Sequence, residues 1–266
     1  VQAAELPRAG RSVIIATGTA SGKSLAYLLP ALTAVLGEDA DERAPAGVPP
    51  GRERPASAAR DGGEGTVLYL APTKALAADQ LRSLRSLRLT RLRAATYDGD
   101  TPPDERGWVR KYANYVLTNP DMLHRSILPG HARWAAFLRR LRYVIIDEAH
   151  GYRGVFGSHV AQVLRRLRRL CARYGALPVF ILASATTAEP AVTARRLTGL
   201  PVEAVTDDAS PRAAAAFALW EPPLTDLRGE HGAPLRRSAT AETAELLADL
   251  VAEDVQTLAF VRSRRG

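Results

Sequence analysis

The stretch SVIIATGTASGKS, residues 12–24, decides the fold of this chain. It begins with an apolar run typical of a buried β-strand and continues through a turn rich in Gly and Ser. It then leads into residues 24–36, whose apolar side chains repeat at helical spacing. Where a loop of this kind joins a strand to a helix, its backbone N–H groups and the helix N-terminus converge and attract phosphate. The stretch therefore predicts a phosphate-binding loop in an α/β domain.

The same alternation of strand and helix continues along the chain. A second strand at 66–70 (TVLYL) is followed by a helical pattern at 73–87. Further strands are predicted at 94–97, 115–118, 143–146 and 179–183. These runs are apolar throughout, which is typical of strands that helices cover on both faces. We therefore predict an α/β fold with a mostly parallel sheet and helices on both of its faces.

Two stretches interrupt this pattern. Residues 37–65 are rich in Gly, Pro, Ala and charge without a periodic face, so we predict a flexible surface insertion, with a functional arm as the alternative. Residues 208–237 contain several Pro and Gly and are interpreted as a linker region between a first domain, 1–207, and a truncated second α/β domain, 238–266. In the second domain we predict a helix at 239–252 and a strand at 257–261.

Composition narrows the class of protein. Lys and Arg number 36 against 28 Asp and Glu, and the formal charge of +8 favours a polyanionic partner such as nucleic acid. The single cysteine, Cys171, excludes an internal disulfide and a cysteine-built zinc site, and it is typical of a reducing cytoplasm. No apolar run approaches the roughly 18 residues of a membrane span. We therefore predict no membrane association and a cytoplasmic location, nucleoid-associated in a bacterium.

The predicted phosphate loop carries the groups that ATP needs. Lys23 would hold the β and γ oxygens, and the Ser24 hydroxyl would join a Mg²⁺ shell. The predicted ATP-binding residues are Thr17, Gly18, Thr19, Ala20, Ser21, Gly22, Lys23 and Ser24. Because Thr17 stands where the usual pattern begins with Gly, a Gly-rich turn with an exposed lysine is the alternative.

A second chemical motif, Asp147-Glu148-Ala149-His150, follows the apolar strand YVII. Its carboxylates are expected at the C-terminal end of that strand, where open α/β sheets bind ligands. Asp147 would reach Mg²⁺ directly or through water, and Glu148 would polarise the attacking water as a general base. Taken alone, such a pair is more typical of a helix N-cap or a surface loop. The phosphate loop on the first strand is what favours a catalytic role.

The segment after this motif predicts an amphipathic helix. Leucines at helical spacing are predicted to be core: Leu164, Leu167 and Leu170. Arginines on the other face are interpreted as solvated, with nucleic-acid contact as the alternative: Arg165, Arg166, Arg168 and Arg169. Cys171, on the same helix, is predicted to be a small buried residue.

These motifs, in this order, resemble those of a known family. ATGTASGKS, DEAH and Ser184-Ala185-Thr186 resemble motifs I, II and III of superfamily 2 helicases of the DEAH-box type. APTKALAADQ (71–80) resembles motif Ia, TNPDML (118–123) resembles motif Ib, and TLAFVRSRRG at the end resembles motif IV. More narrowly, YDGDTP (97–102) and residues 151–170 resemble the MrfA/Hrq-type helicases, which act in DNA repair.

The resemblance implies a RecA-like P-loop NTPase fold with ATP and Mg²⁺ as cofactors. It implies catalytic roles for Lys23, Asp147, Glu148 and His150, and a metal site at Ser24 and Asp147. The residues that would couple the phosphate state to the interface with a second domain are Ser184, Ala185 and Thr186. Those that would contact a sugar-phosphate backbone are Thr73, Lys74, Thr118 and Asn119. A solvated lysine at a helix start and an ordinary strand-ending turn are the alternatives for this last group.

The implied activity is that of an ATP-dependent DNA helicase or translocase, with 3′ to 5′ direction and a role in DNA repair. Its partner would be single-stranded or partly duplex DNA; the residues indicate no particular protein partner. An RNA-remodelling DEAH-box ATPase and a nucleic-acid-binding module without ATP turnover are the alternatives. Motifs V and VI, with their arginine finger, do not occur before Gly266. We therefore expect a first RecA-like domain with the start of a second, inactive by itself.

Overall fold

The structure, a computed structural model, describes residues 2–18, 22–37, 65–185, 187–208, 210 and 214–260. It separates into two units, Val1–Ser210 and Pro211–Gly266, and the division falls inside the region interpreted as a linker. Among the described residues, no helix has both the length and the apolar character to cross a membrane.

A seven-stranded parallel sheet forms the centre of the first unit. In chain order its strands are β1 (Val13–Ala16), β2 (Thr66–Leu70), β3 (Ala94–Thr96), β4 (Tyr115–Thr118), β5 (Leu141–Ile146), β6 (Val179–Ser184) and β7 (Glu203–Val205). In space they lie in the order β3-β4-β2-β5-β6-β1-β7, and every pair of neighbours is parallel. The predicted parallel sheet is confirmed. β7 was not predicted, because this edge strand is short, only partly buried and without an apolar run.

Helices cover both faces of this sheet. They are α1 (Gln2–Arg8), α2 (Lys23–Leu36), α3 (Lys74–Ser86), α4 (Pro103–Tyr112), α5 (Pro120–Met122), α6 (Ala135–Arg139), α7 (Gly154–Arg173) and α8 (Pro190–Thr198). Alternate residues of a strand point to opposite faces. Tyr69 of β2 therefore packs in one core cluster with Tyr27 of α2, and Leu68 packs in the other with Leu164 of α7.

The arginine face of α7 is not wholly solvated. Arg165 Nη2 donates to the Arg196 carbonyl oxygen at 3.0 Å, and Arg168 Nη1 donates to the carbonyl oxygens of Thr198 and Gly199, each at 3.0 Å. These carbonyls lie at the C-terminus of α8, where backbone acceptors lack helical partners and carry partial negative charge. The predicted solvated face is therefore wrong for Arg165 and Arg168, which cap a neighbouring helix.

The opposite face of α7 is buried as predicted. Leu164 and Leu167 are core residues, and Leu170 packs against them. Cys171 is a free, buried thiol, and burial raises its pKa to about 12. At neutral pH this thiol is protonated, so Cys171 packs as a small apolar residue.

The carboxyl ends of the strands lie level along one edge of the sheet. Ala16 of β1 pairs with Ser184 of β6. Leu70 of β2 pairs with Thr118 of β4 on one side and with Ile146 of β5 on the other. The predicted site residues lie at these strand ends or in the loops and helix starts that follow them, so the register brings motifs from distant parts of the chain to a single edge.

The predicted insertion at 37–65 lies outside the described residues, apart from its ends, Gly37 and Gly65. The Gly65 N–H donates to the Ala34 carbonyl oxygen at 2.8 Å, so the chain returns to the end of α2, from which it departed. A Cβ at Gly65 would lie 2.6 Å from Arg142 Cγ and 3.0 Å from the Ala34 carbonyl oxygen, so a larger residue here would force Arg142 to move. The entropic cost of closing a loop grows slowly with its length. An insertion whose ends meet therefore lowers the free energy of unfolding only a little.

The second unit contains β8 (Leu224–Arg228), β9 (Pro234–Arg236) and α9 (Ala239–Ala252). β8 and β9 form an antiparallel hairpin around a 3₁₀ turn at Glu230–Gly232. The interpretation of 208–237 as a linker missed this hairpin, because the Pro and Gly that mark a break in regular structure are also the residues of a tight turn. α9 has the bounds that were predicted.

The strand predicted at 257–261 is not formed in its described part, residues 257–260. Within the described part of the second unit, β8 and β9 pair only with each other. A β-strand needs a neighbouring strand whose backbone pairs with its N–H and C=O groups. Without such a neighbour, an apolar segment does not form a strand. The assignment of this unit to the start of a second RecA-like domain stays a prediction.

Candidate functional site

The phosphate loop connects β1 to α2. Thr17 is buried, Gly22 has a left-handed backbone with φ +76°, and α2 begins at Lys23. A left-handed backbone at the last loop position favours glycine, which has no Cβ to clash. Three of the predicted ATP-binding residues, Thr19, Ala20 and Ser21, lie outside the described residues.

Lys23 folds back over this loop. Its Nζ donates to the carbonyl oxygens of Thr17 at 3.0 Å and Gly18 at 2.9 Å. The ammonium is therefore held beside the N-terminus of α2, where the helix dipole and unpaired N–H groups attract anions. A phosphate bound at that point would lie next to a positive charge whose position the loop already sets.

The motif after β5 begins with a carboxylate held at both oxygens. Asp147 Oδ1 accepts from the Glu148 N–H at 2.9 Å, and Oδ2 accepts from the Tyr69 hydroxyl. The Asp147 N–H itself donates to the Leu70 carbonyl oxygen at 3.0 Å, which continues the β2–β5 ladder by one residue. Asp147 is therefore fixed in place by the neighbouring strand as well as by its own.

Glu148 has a left-handed backbone, with φ +48°. This conformation is uncommon for a residue with a side chain and is often found at functional sites. It turns the chain sharply after β5 into the 3₁₀ turn Ala149–Gly151. The turn leaves the Glu148 side chain partly exposed at the sheet edge.

His150 connects its own motif, residues 147–150, to the predicted coupling segment, residues 184–186. Its Nδ1 lies 3.2 Å from Glu148 Oε2 and 3.3 Å from the Ala185 backbone nitrogen. Nδ1 accepts from the Ala185 N–H only when it is unprotonated and donates to Glu148 only when it is protonated, so the two bonds are alternatives. Ser184 is buried at the end of β6, and Thr186 lies outside the described residues.

The residues predicted to contact nucleic acid follow β2 and β4. The Thr73 hydroxyl caps α3 by accepting from the Leu76 N–H at 3.3 Å, and Asn119 Oδ1 accepts from the Met122 N–H at 2.9 Å. Lys74 is exposed, and its Nζ lies 2.6 Å from Asp100 Oδ2. This hydrogen bond raises the pKa of Lys74.

Thr118 differs from the other three. Its side chain is buried, and its hydroxyl donates to the Tyr97 carbonyl oxygen at 2.6 Å. Thr73 and Lys74 are therefore the exposed members of this predicted set, and Asn119 is half-buried. Thr118 instead holds the start of the loop at 97–102.

Several residues that shape this edge were not predicted from the sequence. Arg106 donates from Nε to the Thr101 carbonyl oxygen at 2.9 Å and from Nη2 to the Asp98 carbonyl oxygen at 3.2 Å, which fixes the loop that carries Asp100. The motif YDGDTP was noted, but it gave no sign that its second aspartate pairs with Lys74. Tyr27 and Tyr69 were missed because each looks like an ordinary apolar core residue.

A phosphate loop after the first strand and a carboxylate pair after another strand of the same parallel sheet define the P-loop NTPase class. The family described as DEAD/DEAH box helicase matches residues 1–194. The chain belongs to this family.

The chain is similar to several known helicases. It is 43% identical over 258 residues to the uncharacterized ATP-dependent helicase YprA of Bacillus subtilis (strain 168), an alignment that covers 96% of this chain and 31% of YprA. It is 39% identical to the ATP-dependent helicase HRQ1 of Saccharomyces cerevisiae, covering 96% of this chain and 22% of HRQ1. The chain thus spans less than a third of either relative.

A solved structure shares the fold. The crystal structure of the DUF1998 helicase MrfA bound to DNA and AMPPNP superimposes with a TM-score of 0.82 at 41% sequence identity. The match covers 99% of this chain and 33% of the MrfA chain. The RecA-like helicase fold predicted from the motifs is confirmed.

Proposed function

We propose that this chain is the ATP-binding part of an ATP-dependent DNA helicase or translocase. One observation carries the proposal: the Tyr69 hydroxyl donates to Asp147 Oδ2, and the Tyr69 ring lies 6.0 Å from the ring of Tyr27, in the first turns of the helix that follows the phosphate loop. The phosphate loop and the motif after β5 are therefore adjacent at one site, as nucleotide hydrolysis requires. Family membership implies that the nucleotide is ATP.

Each group at this site has a task in phosphoryl transfer. The Lys23 ammonium would neutralise charge on the β and γ phosphates, which grows as the bond breaks. The Glu148 carboxylate would accept a proton from the attacking water. His150 lies between Glu148 and Ala185. It would relay the nucleotide state from the motif at 147–150 to the segment Ser184, Ala185 and Thr186.

The donor set fits Mg²⁺. Mg²⁺ usually keeps several waters and takes only one or two protein oxygens beside the phosphates of a substrate. Ser24, in the first turn of α2, supplies one hydroxyl, and Asp147, directly after β5, supplies one carboxylate. A bound Mg²⁺ would neutralise phosphate charge, while Ser24 and Asp147 orient it.

The choice of DNA is supported by two observations. The net charge of +8 suits a polyanion, and the MrfA structure at 41% identity is bound to DNA. The polar groups of Thr73, Lys74 and Asn119 would contact the backbone of a single or partly duplex strand. The 3′ to 5′ direction, the role in DNA repair and the cytoplasmic location are proposed from the family resemblance and from the one free cysteine.

ATPase measurements on the longer protein that contains this chain test the proposal. We expect hydrolysis to be stimulated by single-stranded DNA more than by RNA of the same length. Stimulation by RNA alone would favour the RNA-remodelling alternative. Nucleic-acid binding without any ATP turnover would favour the non-hydrolysing module.

A further inference from the structure

Two buried tyrosines lie beneath the motif after β5. Tyr69 is in the middle of the central strand β2, and Tyr27 is in the first turns of α2. Their side chains are 0% and 1% exposed, and their ring centroids lie 6.0 Å apart at an interplanar angle of 54°. Both phenol groups are therefore inside the protein core, and both reach towards the nucleotide site.

Tyr69 completes the hydrogen bonding of Asp147. Its hydroxyl donates to Oδ2, while the Glu148 N–H holds Oδ1 at 2.9 Å. A carboxylate held at only one oxygen turns about its terminal torsion, which is broad. Because two donors hold separate oxygens, the plane of the Asp147 carboxylate is set before any ligand arrives.

Tyr27 lies between the start of α2 and this carboxylate. It stands three residues after Ser24, and its ring packs against that of Tyr69. Burial is the largest cause that raises the pKa of Tyr27, to about 12, and the charge of Asp147 is the second, so the Asp147 carboxylate lies near the Tyr27 hydroxyl. The end of β5 is thus linked to β2 by a hydrogen bond, and β2 to α2 by the packing of two tyrosine rings.

A third tyrosine in the same cluster provides a comparison. Tyr115 of β4 is 0% exposed and packs in the same core cluster as Tyr27 and Tyr69. Its hydroxyl is buried and makes no hydrogen bond within the described part of the chain. Tyr115→Phe therefore removes the same oxygen atom as Tyr69→Phe does, but it breaks no hydrogen bond to Asp147.

We propose that Tyr69 and Tyr27 are positioning residues for the Asp147 carboxylate, so that Asp147 and Ser24 can hold a nucleotide-bound Mg²⁺. Tyr69 orients the carboxylate through its hydrogen bond, and Tyr27 supports Tyr69 from α2. The inference rests on the proposed function. Without the Tyr69 hydroxyl, Asp147 keeps one hydrogen bond of two, and the carboxylate loses its fixed plane. The Mg²⁺-dependent part of nucleotide binding then weakens, while contacts between the loop and the phosphates remain.

The test compares Tyr69→Phe, Tyr27→Phe and Tyr115→Phe in the 266-residue chain. Equilibrium binding of a fluorescent AMPPNP derivative is measured first in EDTA and then across a Mg²⁺ titration, with thermal melting of each variant. For Tyr69→Phe we expect the half-maximal Mg²⁺ concentration to rise about tenfold, at the low end of what loss of an outer metal partner costs. Tyr27→Phe should shift it in the same direction by a smaller factor.

The titrations distinguish a positioning role of Tyr69 from a purely structural one. Affinity in EDTA should be the same for all three variants, and Tyr115→Phe should titrate with Mg²⁺ like the wild type. Equal titrations of Tyr69→Phe and Tyr115→Phe would overturn the inference, and so would a loss of affinity by Tyr69→Phe that is as large in EDTA as in Mg²⁺. If Tyr69→Phe melts below the assay temperature, the titrations are repeated below its melting midpoint and judged by the same criteria. A wild-type chain that binds no nucleotide would instead refute the proposed function, and the inference with it.

Discussion

Asp147 and Lys74 both bring charge to the same edge of the sheet, but the structure holds them in opposite ways. Asp147 is only partly exposed, and both its oxygens are bonded, one of them to the buried Tyr69. Lys74 is exposed, and its partner Asp100 is more exposed still. Salt and water screen the second pair far more than the first.

The difference matches two kinds of chemistry. A group that stabilises a transition state acts best when it is fixed in advance in a site that excludes water. A group that follows a nucleic-acid backbone exchanges one phosphate for the next, so an exposed and easily broken ion pair suits it. We therefore expect nucleotide binding and hydrolysis to be sensitive to the loss of single atoms. Nucleic-acid binding should depend instead on the total charge.

The largest effect is expected for Glu148→Gln. The amide retains the shape of the side chain but no longer accepts a proton, so ATP hydrolysis in the longer protein should fall by about 10²- to 10⁴-fold. Nucleotide affinity should remain nearly unchanged. Steady-state ATPase rates and a nucleotide titration on the same preparation measure both quantities. If affinity falls as much as the rate, Glu148 supports the fold at its left-handed position and is not the base.

Lys23→Ala is expected to have the next largest effect. It removes the ammonium from the phosphate loop and should lower the hydrolysis rate by about 10²- to 10³-fold, with weaker nucleotide binding as well. Lys111→Ala is a matched control, because Lys111 is an exposed lysine of α4 whose Nζ lies 5.0 Å from the Tyr112 ring centroid. A comparable loss in both variants would contradict the assignment of Lys23.

At the other end of the edge, Lys74→Ala should weaken strand binding moderately and uniformly. One lost phosphate contact should lower the slope of log affinity against log salt by about 0.7 for a single strand. Fluorescence anisotropy with several strand sequences, at a series of salt concentrations, gives this slope. Lys111→Ala should leave it unchanged. A loss confined to one sequence would indicate base reading and would argue against a backbone contact.

The smallest effect is expected for Asp100→Asn. The change removes the carboxylate that competes with phosphate for Lys74, so strand affinity should rise roughly twofold at low salt and not at high salt. Although Asp100 raises the pKa of Lys74, the ordinary pKa of a lysine is already far above neutral, so the ammonium stays charged without it. In a Lys74→Ala background the same change should have a clearly smaller effect.

The parts of this protein that were predictable from sequence are those with local causes. A phosphate loop is a strand, a glycine turn and a helix start in succession, so residues 12–24 contain all of its determinants. The buried strands were predictable because a doubly covered sheet needs apolar runs, and six of the seven strands of the sheet were identified in that way. The position of Asp147 and Glu148 at the end of a strand was predictable because they follow such a run directly.

The rest depended on which strands became neighbours. Tyr69 meets Asp147 only because β2 lies beside β5, and Arg168 meets Thr198 only because α7 packs on α8. A tyrosine in an apolar strand and an arginine on a polar helix face look ordinary in sequence, since their hydrogen-bond partners come from far along the chain. The place of each motif after a strand was thus predictable from the sequence alone. The partners that orient its charged groups were decided by the tertiary structure, because hydrogen bonds require proximity in space.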